Sequence, residues 1–235
     1  MYRIIGVFAD ENGDNHVKLI KYTQLSTTYA WHSSETDVDW ANSALYSGLN
    51  GSYFLTNTAY SYMQDNTWLN KITDWRWTAV NTLTYELPGP DTDYYFATAQ
   101  NIYLHEMNRT GKSSPIGEWT TPTAKVGLMN ASDYALSLGA TALSMTTSTA
   151  DYASTLKTGW MHQYNNDTSA STDEWTISRF GAEDSYFIAW LVGSTGRVSG
   201  SNVAYDDVGV RPVLYLESDI SGLGEGTLEN PIMIS

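Results

Sequence analysis

The sequence predicts an α+β domain. Three observations carry that prediction: strand-like apolar alternation at both ends, capped helical patterns between them, and no linker that divides the body. A chain of 235 residues has room for one large domain. We assign residues 1–219 to that domain and residues 220–235 to a Gly-rich tail or the start of a following module.

The first segment, "YRIIGVFADENGDNHVKLIKY", sets two apolar runs around Asn12-Gly13. Asn-Gly tolerates positive φ at both positions of a two-residue hairpin loop. Strands are expected at about Tyr2–Ala9 and His16–Tyr22. Asp37 or Asp39 then caps a helix through Trp40, Leu45 and Leu49, ended by Gly48 or Gly51. "TNTAYSYMQDNTWLNKITDWRW" predicts a second helix, with Tyr62, Leu69 and Ile72 on one side. From Leu87 to Pro122 the residue mix of Pro, Gly, Asn and Thr predicts a long connection with short strands. "KVGLMNASDYALSL" reads as a strand entering a helix with Ser132 as its N-cap, and "DYASTLKTGWMHQY" as a further short helix. Two or more helices thus fall in the first two thirds.

The last third changes character. "EWTISRF", "SYFIAWLVG", "GRVSGSNVAY" and "GVRPVLYL" are short strands separated by turns, suited to small antiparallel sheets with long loops. Ser194-Thr195-Gly196 reads as a hairpin tip. Alternation in "SYFIAWLVG" separates Tyr186, Ile188, Trp190 and Val192 from Phe187, Ala189 and Leu191. One face is core, and burial of both suits a two-layered domain. "DDVGVRPVLYLESDI" carries Arg211 and Pro212 inside an apolar run. A buried arginine needs partners, so its guanidinium is expected to bond backbone carbonyls or an acid beneath the loops. Pro212 fits near a strand start or at an edge, where its missing N–H faces no partner.

Composition narrows the function. Charged residues make up only 16% of the chain and aromatics 13%, with 17 Tyr and 9 Trp. The surface therefore draws on Ser, Thr, Asn and Gly, as suits a domain working outside the cell. The net charge is -14, with only 12 Lys and Arg. That excludes nucleic acid, whose phosphates require clustered cations, and argues against anionic membranes. No apolar run reaches the roughly 20 residues of a membrane span. "MYRIIGVFAD" lacks the regions of a signal peptide, so either the protein stays inside or the chain is an excerpt of a longer one.

Cysteine is absent, which removes disulfides, zinc thiolate sites and cysteine nucleophiles. His16, His32, His105 and His162 stand in no ligand-like spacing, and Arg109 occupies the second histidine position of an HExxH pattern begun at His105. Asp37/Asp39, Asp91/Asp93, Asp173/Glu174, Glu183/Asp184 and Asp206/Asp207 supply paired carboxylates. A carboxylate hydrolase needs two such groups about 5–10 Å apart in a cleft. Turns and helix caps explain them as well. No cofactor is expected, with calcium among loop acids as the minor alternative. "DENGDN" misplaces the glycine of an EF-hand.

The ordered series "EWTISRF", "YFIAWLVGSTGRV" and "GVRPVLYL" resembles the C-terminal signature of the DUF6273 domain. "YRIIGVF", "DWANSALYSGLNGSYF" and "KVGLMNASDYALS" match the family's earlier segments in the same order. The resemblance reaches about Leu216. It implies a C-type-lectin-like or formylglycine-generating-enzyme-like fold with its N- and C-terminal strands paired, in surface or secreted proteins of Gram-positive gut bacteria. No settled activity comes with it. The copper-binding cysteines of the enzymatic relatives are absent. In lectin-like relatives the ligand face is built by the segment holding Trp160, Trp175, Tyr186, Trp190 and Tyr205, to which we add Arg197. Arg179, Gly209, Arg211 and Pro212 form the structural set.

The function expected from these readings is a non-catalytic recognition or adhesion module, extracellular or at the cell surface, binding a glycan or protein ligand. The alternatives are a retroelement-diversified display protein, a spacer and a carboxylate hydrolase.

Overall fold

The N-terminal hairpin forms where alternation predicts it. Strands β1 (Tyr2–Ala9) and β2 (Asn15–Lys21) pair antiparallel. The turn is longer than a two-residue Asn-Gly loop. Asp10 N donates to Asp14 O and Gly13 N to Asp10 O, while Asp10 Oδ1 accepts from Asn12 N and Asp14 N. Gly13 takes a positive φ there, 90°, as in a three-residue loop closed by a left-handed glycine. The computed structural model describes residues 2–35, 39–51, 70–78, 103, 122–138, 159–163, 173–179, 187–227, 229–230 and 232–234.

Asp39 caps a short 3-10 turn, Trp40–Asn42, through Ala41 N. Ser43 then caps α1 (Ala44–Asn50) through Tyr46 N, and Gly51 ends it. The expected single helix is therefore two pieces, because Ser43 supplies a second cap within the run. The second predicted helix lies mostly outside the described residues. Its described end is extended: Ile72 bridges Leu216, and β3 (Trp75–Arg76) pairs with β4 (Thr123–Ala124). The short β5 (Val126–Gly127) leads into α2 (Ala131–Ser137). Asn130, not Ser132, is the N-cap. The Asp133 carboxylate reaches back to Asn130 N at 2.7 Å, as in a capping box. Four residues, α3 (Trp160–Gln163), are helical within the next predicted helix.

The last third holds its predicted strands: β6 (Glu174–Arg179), β7 (Ile188–Val192), β8 (Val198–Asn202) and β9 (Val213–Tyr215). Strands β6, β7 and β8 form one antiparallel sheet in that order. The β7–β8 tip closes through Gly193 N to Arg197 O at 2.7 Å, with Gly196 at φ 77°. Ala189, Trp190, Leu191 and Val192 are all buried, so both faces of β7 are core. The fold is α+β, with few helices and several small antiparallel sheets. Residues 220–235 include a ribbon of their own, β10 (Gly222–Leu223) with β11 (Met233–Ile234).

The central sheet has the order β1-β2-β9-β5. This corrects the expectation that the first and last strands pair. The closing strand β9 pairs with β2, and β1 lies outside β2. Burial gives the reason. Strand β2 buries Lys18, Leu19 and Ile20, whereas β1 leaves Ile4 and Val7 exposed. The more buried strand takes the position flanked on both sides. After β2 the chain stays beside the closing segment, with Leu25, Tyr29 and His32 donating backbone N–H to Val210, Val208 and Val203.

Trp31, Trp40, Trp77 and Trp175 are fully buried in the core. Each such ring removes about 150–250 Å² from water, worth roughly 4–6 kcal/mol. Three of the four indole nitrogens donate to backbone carbonyls, Trp31 to Thr176 O, Trp77 to Ala124 O and Trp175 to Tyr29 O, while the buried Trp40 Nε1 has no hydrogen-bond partner among the described residues. Among the described residues no helix is long and apolar enough to cross a membrane.

Gly209 does not enter the central sheet. It forms a parallel bridge to Glu174 of β6 and exchanges backbone hydrogen bonds with Asp173 and Trp175. A Cβ there would meet the Gln24 carboxamide at 2.2–2.5 Å. Gly209→Ala should therefore cost about 1–3 kcal/mol through overpacking, seen as a lower urea midpoint with an unchanged slope.

Candidate functional site

Two ionic clusters lie in the interior. In the first, Arg211 is 2% exposed. Its Nε donates to both carboxylate oxygens of Glu174, at 2.9 and 2.8 Å, and a terminal nitrogen donates to Met161 O at 2.9 Å. The guanidinium thus ties the closing segment to β6 and to α3. Burial pushes the Glu174 carboxyl above the ordinary carboxylate range, against the pull of Arg211. Pro212 sits just before β9, with its carbonyl accepting from Lys21 N. Its missing N–H falls ahead of the ladder, where it is tolerated.

In the second cluster, Lys18 of β2 is fully buried. Its Nζ donates to Asp133 Oδ2 at 2.5 Å and to Asn130 Oδ1 at 3.0 Å. Phe8 and Tyr215 face it, with ring centroids 5.2 and 5.4 Å from the nitrogen. Burial pulls the ammonium down, but Asp133 and Tyr215 outweigh it and hold it above the usual lysine range. Trp75 stacks on Tyr215 at 3.7 Å, and Trp77 tilts against the same ring.

A third grouping faces solvent. Phe187 and Tyr205 are 37% and 56% exposed. They stand at the same end of the β7–β8 pair, since Val203 N donates to Phe187 O and Tyr205 N to Asn202 O. Asp206 and Asp207 follow, both exposed. An exposed aromatic ring followed in the chain by two exposed carboxylates suits a ligand with apolar C–H faces and hydroxyl donors.

The predicted ligand residues do not converge. Trp175 and Trp190, at 0% and 2% exposure, are core side chains. Neither offers a ring face to a ligand, because their strands are buried on both faces. Trp160 is half-buried, with the Arg3 guanidinium 4.9 Å from its ring centre. Arg197 is half-buried beside the hairpin tip. The length of β8, about 16 Å for a five-residue strand, separates it from Tyr205. Tyr186 lies outside the described residues. Among the described members of the set, Tyr205 alone is exposed. Arg179 is half-buried at the end of β6.

Among the acid pairs with both members described, Asp173 and Glu174 part company, whereas Asp206 and Asp207 are both exposed. Asp39 is a cap. Asp173 Oδ1 accepts from Ser194 N, while its neighbour Glu174 belongs to Arg211. Asp37, Asp91, Asp93, Glu183 and Asp184 lie outside the described residues. Among the described residues no group of three or more His, Cys, Asp or Glu side chains assembles as a metal site.

Sequence reasoning missed the Lys18–Asn130–Asp133 cluster. The signal was present: "HVKLI" sets a lysine inside an apolar strand just as "VRPVL" sets an arginine. Its partners sit far along the chain at a helix cap, so spacing alone does not join them. Compared with known proteins, the chain matches no family model, no curated protein and no solved structure.

Proposed function

We propose that this chain is a non-catalytic, C-type-lectin-like recognition module of a bacterial surface or secreted protein, and that it binds a glycan at the Phe187–Tyr205 end of the β7–β8 pair. The observation that carries the reading is the exposed Tyr205 ring standing next to Asp206 and Asp207. The ring stacks on a sugar face and the carboxylates accept hydroxyl protons. The ordered resemblance to the DUF6273 signature, together with a Cys-free, aromatic-rich chain poor in charge, supports the fold and the location.

The test is a glycan array followed by titration of the best hit. A hot-spot ring contributes about 2 kcal/mol, some 30-fold in affinity. Tyr205→Ala should lose that much binding at unchanged thermal stability, because the side chain is exposed. Equal binding by wild type and Tyr205→Ala, or no glycan bound at all, would overturn the assignment. A protein ligand would show instead as surface binding that free sugars do not compete.

A further inference from the structure

Lys18, Asn130 and Asp133 place an amine, a carboxamide and a carboxyl in mutual contact, all three residues buried. The surroundings are apolar rings: Phe8 and Tyr215 beside the nitrogen, Trp75 and Trp77 behind Tyr215. As an ion pair this arrangement is an expensive way to fill a core, since apolar residues of equal volume serve as well or better. As a set of reactants it is complete. We propose that Lys18 and Asn130 condense without an external enzyme into an intramolecular isopeptide bond, with Asp133 as the proton-transfer group.

The carboxamide is held for attack. Asn130 Nδ2 donates to Thr78 O at 3.3 Å, which turns the carbonyl oxygen toward Lys18. Nζ lies 3.0 Å from Oδ1. A carbonyl bond is about 1.2 Å long, so Cγ is at most about 4.2 Å from Nζ. A small shift brings that to the roughly 3–3.5 Å of a near-attack pair. Asp133 Oδ2 sits on the same nitrogen and also accepts from Asn130 N, so it is fixed against both reactants.

The step balances with the groups present. Asp133 takes a proton from the Lys18 ammonium in an uphill transfer, since their pairing holds the ammonium in its charged form, and both groups are left neutral for the attack. The neutral Nζ lone pair forms a bond to Asn130 Cγ, and the carbonyl π pair moves to Oδ1. When that pair returns, the Cγ–Nδ2 bond breaks. Asp133 delivers its proton to Nδ2, completing ammonia. The second proton lost by Nζ passes to Asp133, and stays there or leaves with ammonia as ammonium. Nζ keeps one hydrogen as an amide, and nothing is oxidised or reduced.

The bond would join β2 to the entry of α2 across 112 positions of sequence. In a chain without cysteine it supplies the covalent tie that a disulfide provides elsewhere.

Intact-mass spectrometry of the full chain, denatured after folding, tests this directly. The expected mass is lower than the sequence mass by one ammonia. Proteolysis should then yield a branched peptide joining the Lys18 and Asn130 segments. Mapping is essential because Asn12-Gly13 and Asn50-Gly51 are sites where asparagine loses ammonia by cyclising on its own backbone. Lys18→Met and Asp133→Ala should both keep the full mass. If either fails to fold, the wild-type mass and peptide map still decide. A full-mass wild type after prolonged incubation, an ammonia loss mapped elsewhere, or a wild-type extent of bond in Asp133→Ala would each overturn the proposal.

Discussion

Arg211→Met should remove about 3–5 kcal/mol of stability at neutral pH, because it leaves a fully buried carboxylate without its cation. Domains are stable by only about 5–15 kcal/mol in total, so a third or more of the margin goes. Packing is not the main loss, since methionine fills much of the arginine volume. What changes is Glu174, which keeps its burial and loses both of its hydrogen bonds to Nε. The double variant Arg211→Met/Glu174→Leu should recover most of the deficit, as apolar replacements of whole buried pairs do. Urea unfolding of the four proteins in a double-mutant cycle reads the coupling. Equal stability of wild type and Arg211→Met would remove the structural role given to this arginine. The same group sets a pH dependence. Burial raises the Glu174 carboxyl in the folded state, with Arg211 opposing, so between the unfolded value of about 4.3 and the raised one the folded chain binds more protons. Stability from this group is fully present below the unfolded value and is lost as pH rises through the folded one. Wild type should therefore lose more stability than Glu174→Gln over that rise.

Trp175→Ala should be as damaging, about 3–5 kcal/mol, and should read as loss of fold rather than loss of ligand. The ring is fully buried and its indole N–H donates to Tyr29 O at 2.8 Å. Truncation opens a large cavity between β6 and the segment after β2, and it leaves the Tyr29 carbonyl without that donor. Thermal unfolding followed by near-UV circular dichroism checks it. A folded Trp175→Ala with selectively lost glycan binding would restore the role that sequence gave this residue. Tyr205→Ala is the intended contrast, because it alters an exposed ring and leaves the core intact.

Local patterns were legible in the sequence wherever one strand or cap is explained by its own residues. The hairpin strands, the Asp39 cap, the Gly196 tip and the four strands of the last third follow from alternation and turn chemistry. Arg211 stood out because a cation in an apolar strand demands an explanation. Lys18 carried the same signal, yet its partners lie at a distant cap that no periodicity links to β2. Partner choice in the sheet was likewise hidden, because a strand's residues state how much of it is buried but not which neighbour covers it. Which aromatic rings reach the surface was hidden for a similar reason. Trp175, Trp190 and Tyr205 are all aromatic residues in strand-rich sequence, and only the burial of both faces of β6 and β7 separates anchors of the core from a ring offered to solvent.

The placement of β2 between β1 and β9 has a consequence for biosynthesis. Lys18, Leu19 and Ile20 pair with Tyr215, Leu214 and Val213, so the long-range half of the sheet cannot form until the segment through Tyr215 has left the ribosome. At about 5–20 residues per second, some 200 residues take about 10–40 s. For that interval the nascent hairpin exposes an apolar strand with an open edge, the kind of surface that pairs with other chains. High contact order then slows closure further. Refolding at low concentration, or with a chaperone present, should accordingly give a higher yield than refolding when concentrated.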